Sequence, residues 1–124
     1  MYRLCCLLIA ATAMAQHAWP PPGMKCPQRT LVMLEFTPDQ AKVQQFYDEH
    51  VTWVASAMRA GKIISAGPMA DGRTGALLAA SSEWNEVEGM LKAEPFVREG
   101  LIRVTSHWTW NACEADPGAA APGK

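Results

Sequence analysis

Residues 30–40 read Thr30-Leu31-Val32-Met33-Leu34-Glu35-Phe36-Thr37-Pro38-Asp39-Gln40, and the order of features in them decides the fold. Thr30 to Phe36 is an apolar run of strand length, which predicts a first strand. Thr37 then offers a hydroxyl at a helix N-cap. Pro38 suits the first helical position, and Gln40 completes a capping box. A strand therefore feeds directly into a helix. Val43, Phe46, Tyr47, Val54, Ala57 and Met58 recur at helical spacing, which carries the helix to about Ala60. Gly61 is its predicted C-terminal cap.

Working outward, Lys62 to Ala66 predicts a second strand broken by Gly67-Pro68. Ala70 to Thr74 predicts a turn around Asp71-Gly72, and Gly75 to Ser81 a third strand closing a hairpin. Ser82 can cap a second helix, roughly Glu83 to Ala93, with Trp84, Val87, Met90 and Leu91 as its apolar stripe. Glu94-Pro95-Phe96 interrupts that helix, and a turn follows to Gly100. Leu101 to Trp110 is the fourth strand, rich in Val, Ile, Thr and Trp. The order is βαββαβ, the ferredoxin-like arrangement of the α+β class with an antiparallel sheet. In it the first and last strands are antiparallel neighbours, and both helices cover one face. The runs Leu31 to Leu34, Ile63-Ile64 and Ala76 to Ala80 are continuous rather than alternating, so both faces are apolar. A second subunit is the simplest cover for the bare face, and a homodimer is the expectation.

The chain has 124 residues, 49% of them apolar, which fits one domain with a packed core. A net charge of -1 excludes the basic surface that nucleic-acid binding requires. Residues 1–15 read as a secretory signal: Arg3, an apolar stretch from Leu4 to Met14, and Ala13-Met14-Ala15 before a cleavage at Gln16. The stretch is shorter than the roughly 20 residues of a transmembrane helix. Cys5 and Cys6 follow too little apolar sequence to end a lipoprotein signal. The expectation is an exported protein, periplasmic or secreted, with no transmembrane segment in the mature chain. Residues 16–29 read as a linker, 30–110 as the domain and 111–124 as a flexible tail of Ala, Gly and Pro. Cys26 and Cys113 remain after cleavage. They lie just before the first strand and just after the fourth, which predicts that they are bridged.

No Gly-rich phosphate loop, zinc-spaced His/Cys set or Ser-His-Asp signature is present, so no cofactor or metal is expected. His50 falls on the apolar stripe of the first helix. Periodicity alone favours a histidine at the edge of the core. A functional reading needs a carboxylate to hold one ring nitrogen and free the other, and Glu94, before Pro95, is the candidate. His107, beside Trp108 and Trp110, reads as a histidine at a sheet edge or interface. Arg73 reads as solvated, and Ser65 faces the cleft only in one of two registers.

The segments His50-Val51-Thr52-Trp53, Gly61 to Met69, Gly75-Ala76-Leu77-Leu78, Glu94-Pro95-Phe96 and Gly100-Leu101 resemble the YciI-like proteins of the dimeric α+β barrel superfamily. The resemblance covers about Leu31 to Trp110. It implies a homodimer whose sheets pack face to face as a barrel. It also implies a His and an Asp in a cleft proposed as an active site. His50 matches the His, and Glu94, one methylene longer, stands at the Asp position. One branch of the family removes chloride from a chlorinated hydroquinone-type ring, and relatives in the superfamily isomerise lactones or bind haem.

Two functions follow as expectations. One is a cofactor-independent lyase or isomerase, with His50 carrying a proton on a small cyclic molecule and Glu94 orienting it. The alternative is a non-catalytic module that binds a small apolar ligand, and a purely structural dimer is a third. An enclosed pocket with His50 in its wall and a carboxylate in reach favours the enzyme.

Overall fold

Alternation within the first strand sets the two faces of the sheet. In the computed structural model, which describes residues 19–115, strand β2 spans Gln28–Phe36. Thr30, Val32 and Leu34 are buried, while Leu31 and Met33 on the opposite face are only half-buried. Helix α1 (Gln40–Arg59) follows, then β3 (Ile63–Pro68), β4 (Ala76–Ala80), α2 (Trp84–Leu91), the single turn α3 (Pro95–Arg98) and β5 (Ile102–Asn111). The sheet order is β3-β4-β2-β5, antiparallel throughout. This is the ferredoxin-like βαββαβ topology that the sequence predicts. Val32, Leu34, Ile63 and Leu78 of the sheet pack with Ala57, Val87, Leu91 and Phe96 of the helices. Apolar burial of this kind is the main force holding helices to sheet.

The C-terminal end of α1 forms as predicted. Gly61 adopts φ 73°, its N–H donates to Met58 O, and Lys62 N–H donates to Ala57 O. Those two bonds satisfy carbonyls that the helix end would leave bare. The N-terminal end differs from prediction. The cap is Asp39, whose Oδ1 accepts from Lys42 N at 3.1 Å. Thr37 instead donates its hydroxyl to the carbonyls of Gly100 and Leu101, tying the strand exit to the turn before β5. Ser82 is likewise no cap: α2 starts after Glu83, and the Ser82 carbonyl accepts from Thr30 Oγ1. Gly67-Pro68 does not break β3, which runs through Pro68 opposite Ala76. β3 is an edge strand, where a proline's missing N–H leaves no ladder bond unmade. Tyr47 and Met58, placed on the helix stripe, are exposed.

Gln28 and Arg29, assigned to the linker, and Asn111, assigned to the tail, belong to the sheet. A register shift between Met33 and Leu34 marks a bulge in the β2–β5 pairing. Facing away from the helices are Leu31, Met33, Leu77 and Trp108, joined by cross-strand pairing.

Residues on either side of the sheet domain form a separate unit. There β1 (Met24–Lys25) pairs antiparallel with β6 (Glu114–Ala115). Cys26 and Cys113 are bridged, with Cα atoms 3.9 Å apart and a sequence separation of 87. Closing so long a loop restricts the unfolded chain, worth about 4–5 kcal/mol as an upper figure in the chain-entropy model. Within the described residues, then, the predicted linker and tail carry a cross-linked ribbon. The predicted signal, residues 1–15, and residues 116–124 lie outside the described residues. Among those described, no helix is long and apolar enough to cross a membrane.

Candidate functional site

α1 carries His50 on its inner side, and α3 lies against it. The Glu94 side chain caps α3, its Oε2 accepting from Val97 N at 2.9 Å. The other oxygen, Oε1, lies 2.5 Å from His50 Nδ1. Glu94 is 2% exposed, and a carboxylate that deep in a protein needs donors on its oxygens. Here each oxygen has one. Pro95 at the first position of α3 fixes the turn that swings Glu94 inward. One side chain thus reaches both the helix cap and the imidazole.

The His50 ring also stacks on Phe96, with centroids 3.9 Å apart and planes 3° from parallel. Two contacts thus fix it, one on its face and one at Nδ1. An ionised carboxylate only accepts, so a neutral imidazole paired with it places its proton on Nδ1 and leaves the Nε2 lone pair free. Fixing a ring tautomer in this way prepares the second nitrogen for proton transfer.

That ring lines a cavity of about 830 Å³ between α1 and the sheet. Val43, Trp53 and Val54 of α1 and Leu34, Ala76 and Leu78 of the sheet give it a largely apolar wall. Glu94 reaches the same cavity, as do Tyr47 and Arg73. Such a space suits a small ring compound. Among the described residues no group of three or more His, Cys, Asp or Glu side chains could hold a metal ion.

Other residues singled out in the sequence fall elsewhere. Ser65 pairs with Ala79 on the β3–β4 ladder and does not line the cavity. His107 lies on edge strand β5 and stacks on Trp84, with centroids 3.9 Å apart. Arg73 is exposed, as expected of a solvated side chain, and it also lines the cavity. The sequence holds a trace of this: Asp71-Gly72-Arg73-Thr74 is a tight turn, and a tight turn aims its side chains in set directions.

The chain matches the model of the YCII-related domain over residues 29–111. Among solved structures it is similar to the 5-chloro-2-hydroxyhydroquinone dehydrochlorinase TftG of Burkholderia phenoliruptrix AC1100, in complex with 2,5-dihydroxybenzoquinone. The TM-score is 0.54 at 23% identity, covering 66% of this chain and 92% of that one. No curated protein matches the chain. The likeness to the dehydrochlorinase is one of fold, that of the dimeric α+β barrel proteins. With most of the sheet domain inside the matched segment, the chain belongs to the YCII-related family.

Proposed function

We propose that the cavity between α1 and the sheet is an active site where His50 moves a proton on a small cyclic organic substrate. The observation that carries this reading is the 2.5 Å contact of His50 Nδ1 with buried Glu94, which leaves Nε2 free beside the cavity. In an elimination, Nε2 takes a proton from the ring. The electron pair left behind forms the new double bond, and the leaving group departs with its own pair. In an isomerisation the imidazolium returns the proton to another ring atom. Glu94 supports the imidazolium in either case, as an oriented carboxylate does for a general base. The largely apolar wall suits the ring of such a substrate. The dehydrochlorinase of similar fold is named for an elimination on a hydroxylated ring, a chemistry that needs a base and no redox step.

The protein is further proposed to be exported and to work as a homodimer. The bridged Cys26 and Cys113 support export, since disulfides persist in oxidising compartments. The apolar sheet face opposite the helices supports the dimer, with Trp108 49% and Trp110 44% exposed on β5. Light scattering is expected to give twice the chain mass, and a monomer at micromolar concentration contradicts it.

The test of the active-site reading is a thermal-shift screen of halogenated and hydroxylated ring compounds, followed by turnover of those that bind. Binding raises the midpoint by mass action. Turnover that is lost in His50→Ala supports the reading. Tight binding without turnover in the native protein replaces it with a non-catalytic binding module.

A further inference from the structure

Most of the cavity wall is apolar, and among the described residues Arg73 is the one Lys or Arg side chain in it. The turn that bears it is closed by Asp71. Oδ1 of Asp71 accepts from Arg73 N at 2.9 Å and Thr74 N at 3.0 Å, and Oδ2 accepts from the Thr74 hydroxyl. Those bonds hold Asp71 at a pKa of about 2, the Thr74 hydroxyl contributing most. Asp71 is thereby spent on the turn. Among the described residues nothing bonds to the Arg73 guanidinium. The carboxylate that lines the cavity, Glu94, is spent on His50 and Val97. A solvent-exposed permanent cation, with no bonded protein acceptor among the described residues, thus lines a cavity whose carboxylate is already engaged.

Its position is set by the backbone. Ala76, just after the turn, pairs with Leu34, so the turn lies at the end of the sheet where Phe36 and Thr37 lead into α1. A side chain at Gly75 would collide with the Leu34 carbonyl, so only glycine brings the turn this close to β2. Thr37, Pro38 and Gln40 line the cavity at this end.

We infer that Arg73 is the specificity residue of the cavity and selects ring compounds that carry a carboxylate. This rests on the reading of the cavity as a substrate site. The guanidinium fork matches the two oxygens of a carboxylate, and one cation suits one negative charge. The carboxylate would sit at the turn end and leave the ring toward His50.

The test uses benzoate and benzamide, which share a ring and differ in charge, with affinities read by calorimetry on the full chain. Native protein is expected to bind benzoate at least about tenfold tighter than benzamide. Arg73→Gln is expected to bring that ratio within about twofold of one, and Arg73→Lys to leave it between the two. Raising salt from about 0.05 to about 0.5 M is expected to shrink the native ratio, because the cation is close to solvent. Equal affinities in the native protein, no binding of benzoate at millimolar concentration, or a ratio that survives Arg73→Gln each overturns the assignment. The ratio is read from binding alone. A failure of proton transfer at His50 therefore leaves this test standing, and failure of the ratio leaves the His50–Glu94 reading untouched.

Discussion

His50 and His107 each stack flat on an aromatic ring, His50 on Phe96 and His107 on Trp84, with centroids 3.9 Å apart in both pairs. Beyond the stack they differ. His50 meets a buried carboxylate and lines a cavity of about 830 Å³. His107 has no carboxylate bonded to it among the described residues, and it lines a more open groove of about 350 Å³. The groove's own acid, Glu88, lies 3.8 Å from Lys92. Stacking alone gives a histidine a place in the structure. A buried acceptor gives it a fixed tautomer, and a cavity gives the free nitrogen something to act on.

The largest expected difference is in turnover. His50→Ala is expected to lower the rate about 10²- to 10⁴-fold, the usual worth of a general base. His107→Ala is expected to leave the rate within about threefold, since nothing fixes its tautomer for proton transfer. Equal losses would break the contrast. Stability should separate the two regions next. Glu94→Ala strips the acceptor from both His50 Nδ1 and Val97 N, at a cost of about 2–4 kcal/mol in urea denaturation. Glu88→Ala in the groove is expected within about 0.5 kcal/mol of native. A smaller effect belongs to His107→Ala, about 0.5–1.5 kcal/mol for the lost stack on Trp84. No loss at all would mean that the stack is incidental.

The smallest effect is one of pH, and it belongs to the cavity side alone. Asp71 is lowered from 3.8 to about 2, chiefly by the Thr74 hydroxyl. A lowered carboxylate stabilises the folded turn above its ordinary value and ceases to do so as pH falls through the lowered one. The turn that carries Arg73 should therefore hold above about pH 4 and loosen toward about 2. The Thr74 amide shift in an NMR series should titrate with its midpoint near the lower figure. A midpoint at the ordinary carboxylate value would show the turn open in solution.

Much of this contrast was legible in the residues. The helix stripe placed His50 inward, and Pro95 placed Glu94 at a turn, so the pair could be named from sequence. The topology followed from local signals, among them the Gly61 cap and the Asp71-Gly72 turn. The rest depended on partners distant in sequence. Thr37 looked like a helix cap because local pattern shows the donor and hides the competing carbonyls of Gly100 and Leu101, more than 60 residues away. Pro68 looked like a strand breaker because the edge position of β3 is a property of the whole sheet. Arg73 is exposed as its turn suggested, and that it also lines the cavity depends on the registration of β4 on β2. The second role of Glu94, capping α3, was also hidden, since that single turn of helix leaves no periodic pattern.

The central claim is that Glu94 fixes the His50 ring with its proton on Nδ1. Long-range proton–nitrogen NMR correlation on ¹⁵N-labelled protein reads the tautomer of each neutral imidazole directly. The account predicts the Nδ1–H form at His50 in the native protein, its loss in Glu94→Ala, and no change at His107. His50 in the Nε2–H form in native protein, or a tautomer indifferent to Glu94, would contradict it.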